Sequence, residues 1–309
     1  MKYRGWGVLV VAFTLAVSVS LPGVDAQTPA AGEQGAARGG RGARGAEPGA
    51  ADQSGGRGAR GGRGARGGGA PAAPSKPTPH WPDGRVNLSQ APGVKGFWNN
   101  MSGSPIGPGG LPGNLTLDQV PFQDWARALY EYRRTRGGLD DPHARCQPAG
   151  GMRFFTVPNG MEIIDQPELS RIFIIDGENR DWRRIAMEPG RKHPSEDDLI
   201  PSYFGDSIGH WEGETLVVDT VGYNEKFWFI RGGLPHTRYM HLIERFTRTD
   251  FDTLKYEVTI DDKGAYTRPW SGGWNIKWQY TNYDGTPGGE IHEYFCIDNE
   301  RDAVEFSKQ

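Results

Sequence analysis

Hydrophobic and polar residues alternate along several segments in the second half of the chain. The clearest alternation runs from Trp274 to Tyr280, where every second residue is Trp, Ile or Tyr and the residues between them are polar. This period of two is typical of a β-strand with one buried face. Segments of the same kind, bounded by turn residues, predict seven more strands at 161–165, 171–176, 182–187, 214–220, 240–248, 254–260 and 291–297.

Few helices are expected between these strands. A series of short strands joined by turns favours an antiparallel sheet that forms a barrel or a sandwich. Of the two, we favour a lipocalin-like barrel, a fold that holds one small ligand when side chains do not fill its interior. The sequence therefore predicts a mainly β fold.

One N-terminal α-helix is predicted ahead of these strands. Pro121 lies where a first helical residue is tolerated, and Trp125, Leu129 and Tyr132 recur at helical spacing before the Gly137–Gly138 pair ends the pattern. The predicted outer face and last turn carry four arginines, which complement the helix dipole at its C-terminal end: Arg127, Arg133, Arg134 and Arg136.

The first 26 residues resemble a secretory signal peptide. Lys2 and Arg4 precede an uncharged run from Trp6 to Leu21, and Ala26 ends a stretch suited to a signal peptidase. The run is shorter than the roughly 20 apolar residues that a membrane-spanning helix needs. We therefore expect cleavage after Ala26, a periplasmic or secreted protein, and no transmembrane segment in the mature chain.

Residues 27–79 differ in composition from the rest of the chain. The hexapeptide GRGARG occurs at 40–45, 56–61 and 62–67, and the whole segment contains no Phe, Tyr or Trp. Such a segment cannot bury enough apolar surface to fold, so a disordered linker is predicted. Its net charge of +5 leaves open a weak attraction to an anionic envelope surface. RNA binding is disfavoured because no aromatic residues are present to stack on bases.

Residues 80–309 are predicted to form a single β-rich domain. This part has a net charge of −9, which argues against nucleic acid as a partner. It contains nine of the ten Trp, which favours a large core or an aromatic-lined cavity. The candidate ligand-contacting residues are Trp211, Arg245, Trp274 and Trp278.

Cys146 and Cys296 are the two cysteines of the chain. In an oxidising compartment an even pair indicates a disulfide, and two buried free thiols are the alternative. A bond that closes a loop of this size can stabilise a fold by up to about 5 kcal/mol.

The block at 205–224 matches the pattern GxSxGxWEGxTLVVDTxGxN. It resembles the signature of a large family of exported bacterial proteins, and segments around His236, Glu244, Tyr256, Trp270 and Cys296 fit the same family. The resemblance covers roughly residues 140–300 and implies one compact exported domain. It implies no particular reaction, since the family has no assigned biochemical role.

Ser207 lies in a G-x-S-x-G sequence, the nucleophile elbow of serine hydrolases. That motif works where a strand turns sharply into a helix. Here the motif is followed by a β run at 215–218, so no helix can begin there. A glycine-rich turn between strands is the preferred interpretation, and a Ser207 nucleophile is the alternative.

A second candidate site surrounds Glu244. On a strand Glu244 shares a face with Leu242 and Phe246, while His241 and Arg245 lie on the opposite face. A carboxyl among apolar residues must find a partner or raise its pKa, and it could act as a general acid or base. The alternative is a Glu244–Arg ion pair inside the core.

His236 precedes the same strand and could join His241 at a site. His241 and Glu244 point to opposite faces, however, and no spacing here has the specificity of a zinc signature. The sequence therefore assigns no metal and no cofactor.

Three functions remain open. The first is an exported binding protein with an aromatic-lined cavity for an aromatic or sugar-like molecule. The second is a cofactor-independent lyase, isomerase or hydrolase that uses carboxylate and histidine acid–base catalysis. The third is a structural envelope protein. A cavity with Glu244 and a histidine favours the enzyme, an aromatic cavity favours binding, and a filled interior favours the structural role.

Overall fold

The computed structural model describes residues 75–99, 103–157, 160–177, 181–282, 286–291 and 296. All of them belong to one unit, Gly68–Gln309. The predicted signal peptide and residues 27–74 of the predicted linker lie outside the described residues. Within them, the strands are β1 Phe97–Asn99, β2 Met161–Gln166, β3 Arg171–Asp176, β4 Trp182–Ala186, β5 Asp206–Glu212, β6 Thr215–Val221, β7 His241–Asp250, β8 Thr253–Asp261 and β9 Trp270–Gln279.

Helices are few in the described part of the chain. One α-helix, α1, covers Asp124–Thr135. The remaining helical segments are short 3-10 helices at Gly107–Gly109, Leu117–Gln119, Pro142–Arg145, Gly151–Thr156 and Pro167–Leu169. The mainly β class predicted from the alternation is confirmed.

The nine strands form a single sheet that closes into a ring. Each strand pairs with the next along the chain, and β1 closes the ring by pairing with both β2 and β9. In that closure Trp98 lies opposite Met161 on one side and Trp278 on the other. Sequential pairing of this kind leaves no open sheet edge.

One pair departs from the antiparallel prediction. Strands β4 and β5 are parallel, and only two register pairs join them, Ile185 with Ser207 and Ala186 with Ile208. The reason lies in the connection, since residues 187–205 carry the chain back before β5 begins and no tight turn links the two strands. The pairing joins the end of β4 to the beginning of β5, so residues 182–184 at the beginning of β4 have no register partner on β5.

Strand β5 was predicted as a glycine-rich turn, and that prediction was wrong. Gly209 lies in this strand at a position where neighbouring side chains pack directly against the backbone. A Cβ atom on Gly209 would lie 2.5 Å from Sδ of Met187 and 2.7 Å from Cγ2 of Ile185. The predicted strand 291–297 lies mostly outside the described residues.

Helix α1 follows β1 and is therefore not N-terminal to the sheet. Its buried face differs from the prediction, because Trp125 and Tyr132 are 47% and 56% exposed. The buried side contains Ala126 and Tyr130, while Arg133 packs over the Trp228 ring at 4.9 Å. The arginine stem thus covers an aromatic ring, as long cationic side chains commonly do.

Large side chains occupy the centre of the ring. Fully buried residues include Trp98, Trp274, Tyr223, Tyr256, Arg183 and Arg248. The predicted disulfide is confirmed, with the Cα atoms of Cys146 and Cys296 5.5 Å apart. No helix among the described residues is both long and apolar enough to cross a membrane.

The folded unit starts a few residues ahead of the predicted boundary at residue 80. Thr78 donates its hydroxyl to the carbonyl of Arg248 at 3.0 Å, and the carbonyl of Lys76 accepts from the Phe251 amide at 3.0 Å. The ammonium of Lys76 lies 5.1 Å from the Phe251 ring centre. Residues 76–78 thus contact the turn between β7 and β8.

Candidate functional site

Glu244 lies on the inward face of β7 and is fully buried, as the alternation predicted. Arg183 of β4 donates from Nη1 to Oε1 of Glu244 at 3.0 Å and from Nη2 to Oε2. The Tyr256 hydroxyl donates to Oε1 at 2.8 Å. Of the two interpretations offered for Glu244, the structure places it in an ion pair with an arginine inside the core.

Each nitrogen of the Arg183 guanidinium has a hydrogen-bond partner. Its Nε donates to Oγ of Ser207 at 3.1 Å, and Nη2 donates to Oγ1 of Thr220 at 2.7 Å as well as to Glu244. Burial opposes the charge of Arg183, but attraction to Glu244 and the hydrogen bonds to it hold the pKa of Arg183 above its ordinary value. Such a hydrogen-bonded network of buried polar groups contributes to a defined core. We call Arg183, Ser207, Thr220, Glu244 and Tyr256 the inner cluster.

Ser207 belongs to this inner cluster. Its hydroxyl bonds to Thr220 Oγ1 at 3.0 Å as well as to Arg183. Strand β5 runs on to Glu212 and a turn leads into β6, so no helix follows the serine. The strand-to-helix context that a nucleophile elbow needs is absent, as the sequence predicted.

His236 is nine-tenths buried and lies apart from the inner cluster. Its Nε2 donates to the carbonyl of Asn224 at 2.9 Å, and its ring lies 4.3 Å from the Phe227 ring centre. Burial lowers the pKa of His236. These contacts are those of a neutral histidine packed among aromatic rings.

His241 lies on the outward face of β7, where it meets Asp219 of β6. Its Nε2 donates to Oδ1 of Asp219 at 2.6 Å, and that hydrogen bond raises the pKa of His241. Burial opposes ionisation of Asp219, but hydrogen bonds from His241 and His193 hold its pKa below the usual range.

His193, in the connection between β4 and β5, joins Asp219 to a second carboxylate. Its Nδ1 lies 2.7 Å from Oδ2 of Asp206 and its Nε2 lies 3.2 Å from Oδ1 of Asp219. A neutral imidazole has one N–H and a carboxylate only accepts, so both contacts are hydrogen bonds when His193 is the imidazolium. Arg191 also donates to Asp206, at 2.5 Å. We call these five residues the outer network.

A cleft of about 490 Å³ opens between the unpaired beginning of β4 and the segment that leads into β5. Trp182 is 57% exposed and its ring meets Phe173 edge-on at 5.6 Å. Asp206 lines the cleft and also belongs to the outer network. The residues that form its walls and floor include Trp182, Arg184, Ser202, Phe204, Asp206 and Ser207. We call this the β4–β5 cleft.

The far wall of the cleft is formed by the segment that enters β5. Gly205 has a left-handed φ of +65°, and a Cβ atom there would lie 2.4 Å from the carbonyl oxygen of Val221. Ser202 accepts a hydrogen bond from the Gly205 amide at 2.9 Å. The close approach at Gly205 places this backbone against the end of β6, and the Ser202 hydrogen bond stabilises the local turn that enters β5.

The predicted ligand-contacting residues do not come together at one site. Trp274 is fully buried against Tyr256, and Trp211 is a partly buried residue packed on the core. Arg245 lies on the outward face of β7 and pairs with Glu212 at 2.8 Å.

Trp278 borders a second, smaller cleft of about 250 Å³, together with Trp81, Trp98 and Glu162. Trp98 is fully buried and Trp278 is 7% exposed. The Arg248 guanidinium lies 4.8 Å and 5.3 Å from these two ring centres. Little aromatic surface is therefore left for a ligand in this cleft.

Sequence reasoning missed Arg183, Trp182, Arg184, His193 and Asp219 as site residues. For Arg183 a signal was present, because it shares strand parity with the apolar Ile185. Within the described ranges, no set of three or more His, Cys, Asp or Glu side chains is arranged to hold a metal ion.

Comparison of the chain with protein-family models, with curated proteins and with solved structures finds no match. The resemblance of the 205–224 block to a family of exported proteins stays a prediction.

Proposed function

We propose that this chain is an exported small-molecule-binding protein and that its ligand occupies the β4–β5 cleft. The observation that carries the proposal is the exposed Trp182 ring in a cleft of about 490 Å³. Small-molecule sites are typically clefts of about 300–1,000 Å³ with aromatic walls and a few polar groups. An exposed indole face suits a ligand with a planar ring, since stacked rings gain about 0.5–1.5 kcal/mol beyond the burial of their surface.

The site differs from the interior cavity expected from the sequence. Large side chains occupy the centre of the ring, which taken alone favours the structural role, and the inner cluster satisfies its own polar groups. The binding function rests on the β4–β5 cleft. The cleft instead lies at the short parallel pair, where the sheet provides both an opening and a wall. Export is supported by the Cys146–Cys296 disulfide, because such bonds persist in oxidising compartments.

The proposal is tested by screening a library of planar aromatic fragments by saturation-transfer NMR and thermal shift. Fragments that bind the wild type should bind the Trp182→Ala variant at least about tenfold more weakly, a loss of about 1.4 kcal/mol. Trp125→Ala is the matched control, because Trp125 is 47% exposed on α1 and does not line the cleft. Equal binding to wild type and Trp182→Ala, or no binding at all, would contradict the proposal.

A second candidate is an acid–base enzyme, favoured by one observation. Asp206 lines the cleft and contacts His193, which contacts Asp219 and through it His241. Such a chain of carboxylates and imidazoles can relay a proton to a bound molecule. NMR spectra of the fragments followed over hours provide the test. A product formed by the wild type and not by Asp219→Asn supports an enzyme, and unchanged fragments leave the binding protein as the better description.

A further inference from the structure

We infer that the β4–β5 cleft selects an anion, and specifically an aromatic carboxylate. The inference deepens the proposed function and rests on it. Trp182 and Arg184 are two residues apart on β4, so their side chains project from the same face of the sheet. Two residues of a strand span about 7 Å. A fused aromatic ring stacked on Trp182 can therefore place a carboxylate at its edge beside the Arg184 guanidinium.

Arg184 has the free charge for this role. It is exposed, lines the cleft and forms no ion pair with any side chain in the described part of the chain. The neighbouring basic side chains are already engaged, since Arg191 and His193 both contact Asp206. The planar guanidinium binds a carboxylate through two parallel hydrogen bonds, which gives geometric selection as well as attraction.

Arg184 decides how the ligand is oriented. Asp206 already has a cationic partner in Arg191, so it repels an anion only weakly. Asp181 also lines the cleft, one residue before Trp182. The charge of Arg184 favours a ligand carboxylate two residues beyond Trp182, which leaves the ring over Trp182. Phe204, held edge-on to Phe154 at 5.5 Å, lines the same cleft and adds apolar surface.

Two probes of the same shape and different charge test the inference: 2-naphthoate and 2-naphthamide. Calorimetric titration of the full-length mature protein should give at least about tenfold tighter binding of the naphthoate. Arg184→Gln should remove that preference by weakening the naphthoate and leaving the naphthamide unchanged. Arg231→Gln, an exposed arginine outside the cleft, should behave as the wild type. An unchanged melting temperature for Arg184→Gln confirms that its fold is intact.

The outcomes separate the two proposals. If both probes bind equally and binding still depends on Trp182, the anion inference is overturned and the binding function stands. If Arg184→Gln keeps the preference for the naphthoate, the charge that selects it lies elsewhere and the inference is again overturned. If neither probe binds the wild type, while neutral fragments from the library bind through Trp182, only the inference fails. If nothing binds through Trp182, both fail.

Discussion

On β5, β6 and β7, residues of the inner cluster and of the outer network lie on opposite faces, and their charges are exposed to solvent to very different degrees. Inside, Glu244 and Arg183 are almost fully buried, and each of their polar atoms has a partner. Outside, the side chains of His241 and Asp219 are 35% and 39% exposed and remain open to solvent. The inner charges are therefore suited to defining the core, and the outer ones are suited to exchanging protons or meeting a ligand.

The largest loss of stability is expected when Glu244 is replaced. Removing one partner of a buried ion pair typically costs about 3–5 kcal/mol, because the other charge is left uncompensated. We expect Glu244→Ala to lower the free energy of unfolding by that amount in urea denaturation. The control is Glu257→Ala on the neighbouring strand β8, where the carboxylate is part-exposed and pairs with Lys255. Its expected effect is within about 0.5 kcal/mol. Similar small losses for both variants would contradict a structural role for the inner cluster.

A smaller effect is expected at Ser207. Ser207→Ala removes the acceptor of the Arg183 Nε–H and leaves that donor buried, which costs about 1–3 kcal/mol. Ser271→Ala is the matched control, because its hydroxyl pairs with Thr259 on an exposed surface at 2.9 Å. Equal unfolding midpoints for Ser207→Ala and the wild type would show that the hydroxyl does not support Arg183.

The smallest loss of stability is expected on the outer face, at His241. The pKa of His241 is raised by Asp219, so its contribution to stability is full below the ordinary histidine pKa of about 6.5. It is lost as the pH rises through the higher pKa of the folded state. At the acidic end it is lost as Asp219 takes up a proton, below its own lowered pKa. We expect His241→Gln to lower the free energy of unfolding by less than about 1 kcal/mol near pH 6, since half-exposed pairs are screened.

This difference should shrink as the pH rises through the raised pKa of His241, and it should also shrink in high salt. Urea denaturation of the wild type and His241→Gln from about pH 5 to pH 9 measures it. Curves that stay parallel across this range would show that the His241–Asp219 contact does not contribute to stability.

Strand parity was the most reliable information in the sequence. It placed Glu244 and His241 on opposite faces of β7, and the structure agrees. It did not identify the partner of Glu244, because Arg183 lies 61 residues away on a strand that no local pattern links to β7. His193 was missed for a related reason. It lies in the 187–205 connection, where no periodicity indicates which side chains return to the sheet.

Two predictions were wrong because they relied on local sequence features alone. The glycines of the 205–209 segment indicated a turn, but Gly209 lies within β5, where it allows close approach of Met187 and Ile185. In α1 the recurrence of Trp125 and Tyr132 indicated the buried face, yet Ala126 and Tyr130 pack inward. Trp125 remains at the surface with its indole donating to the carbonyl of Gly264 at 2.9 Å. Tertiary packing overrode the local pattern in both cases.

The disulfide also determines how the fold responds to mechanical force. Cys146 and Cys296 are 150 residues apart, and strands β2 to β9 all lie between them. A pull on the two ends of the chain is carried through the sulfur–sulfur bond and bypasses that segment. The segment ahead of Cys146 bears the load, so β1 is peeled away while the other strands stay enclosed. Reduction would let the pull extend about 500 Å more chain, at roughly 3.3–3.6 Å per residue. The disulfide thus protects strands β2 to β9 from a pull on the chain ends. It does not protect β1, the strand that closes the ring.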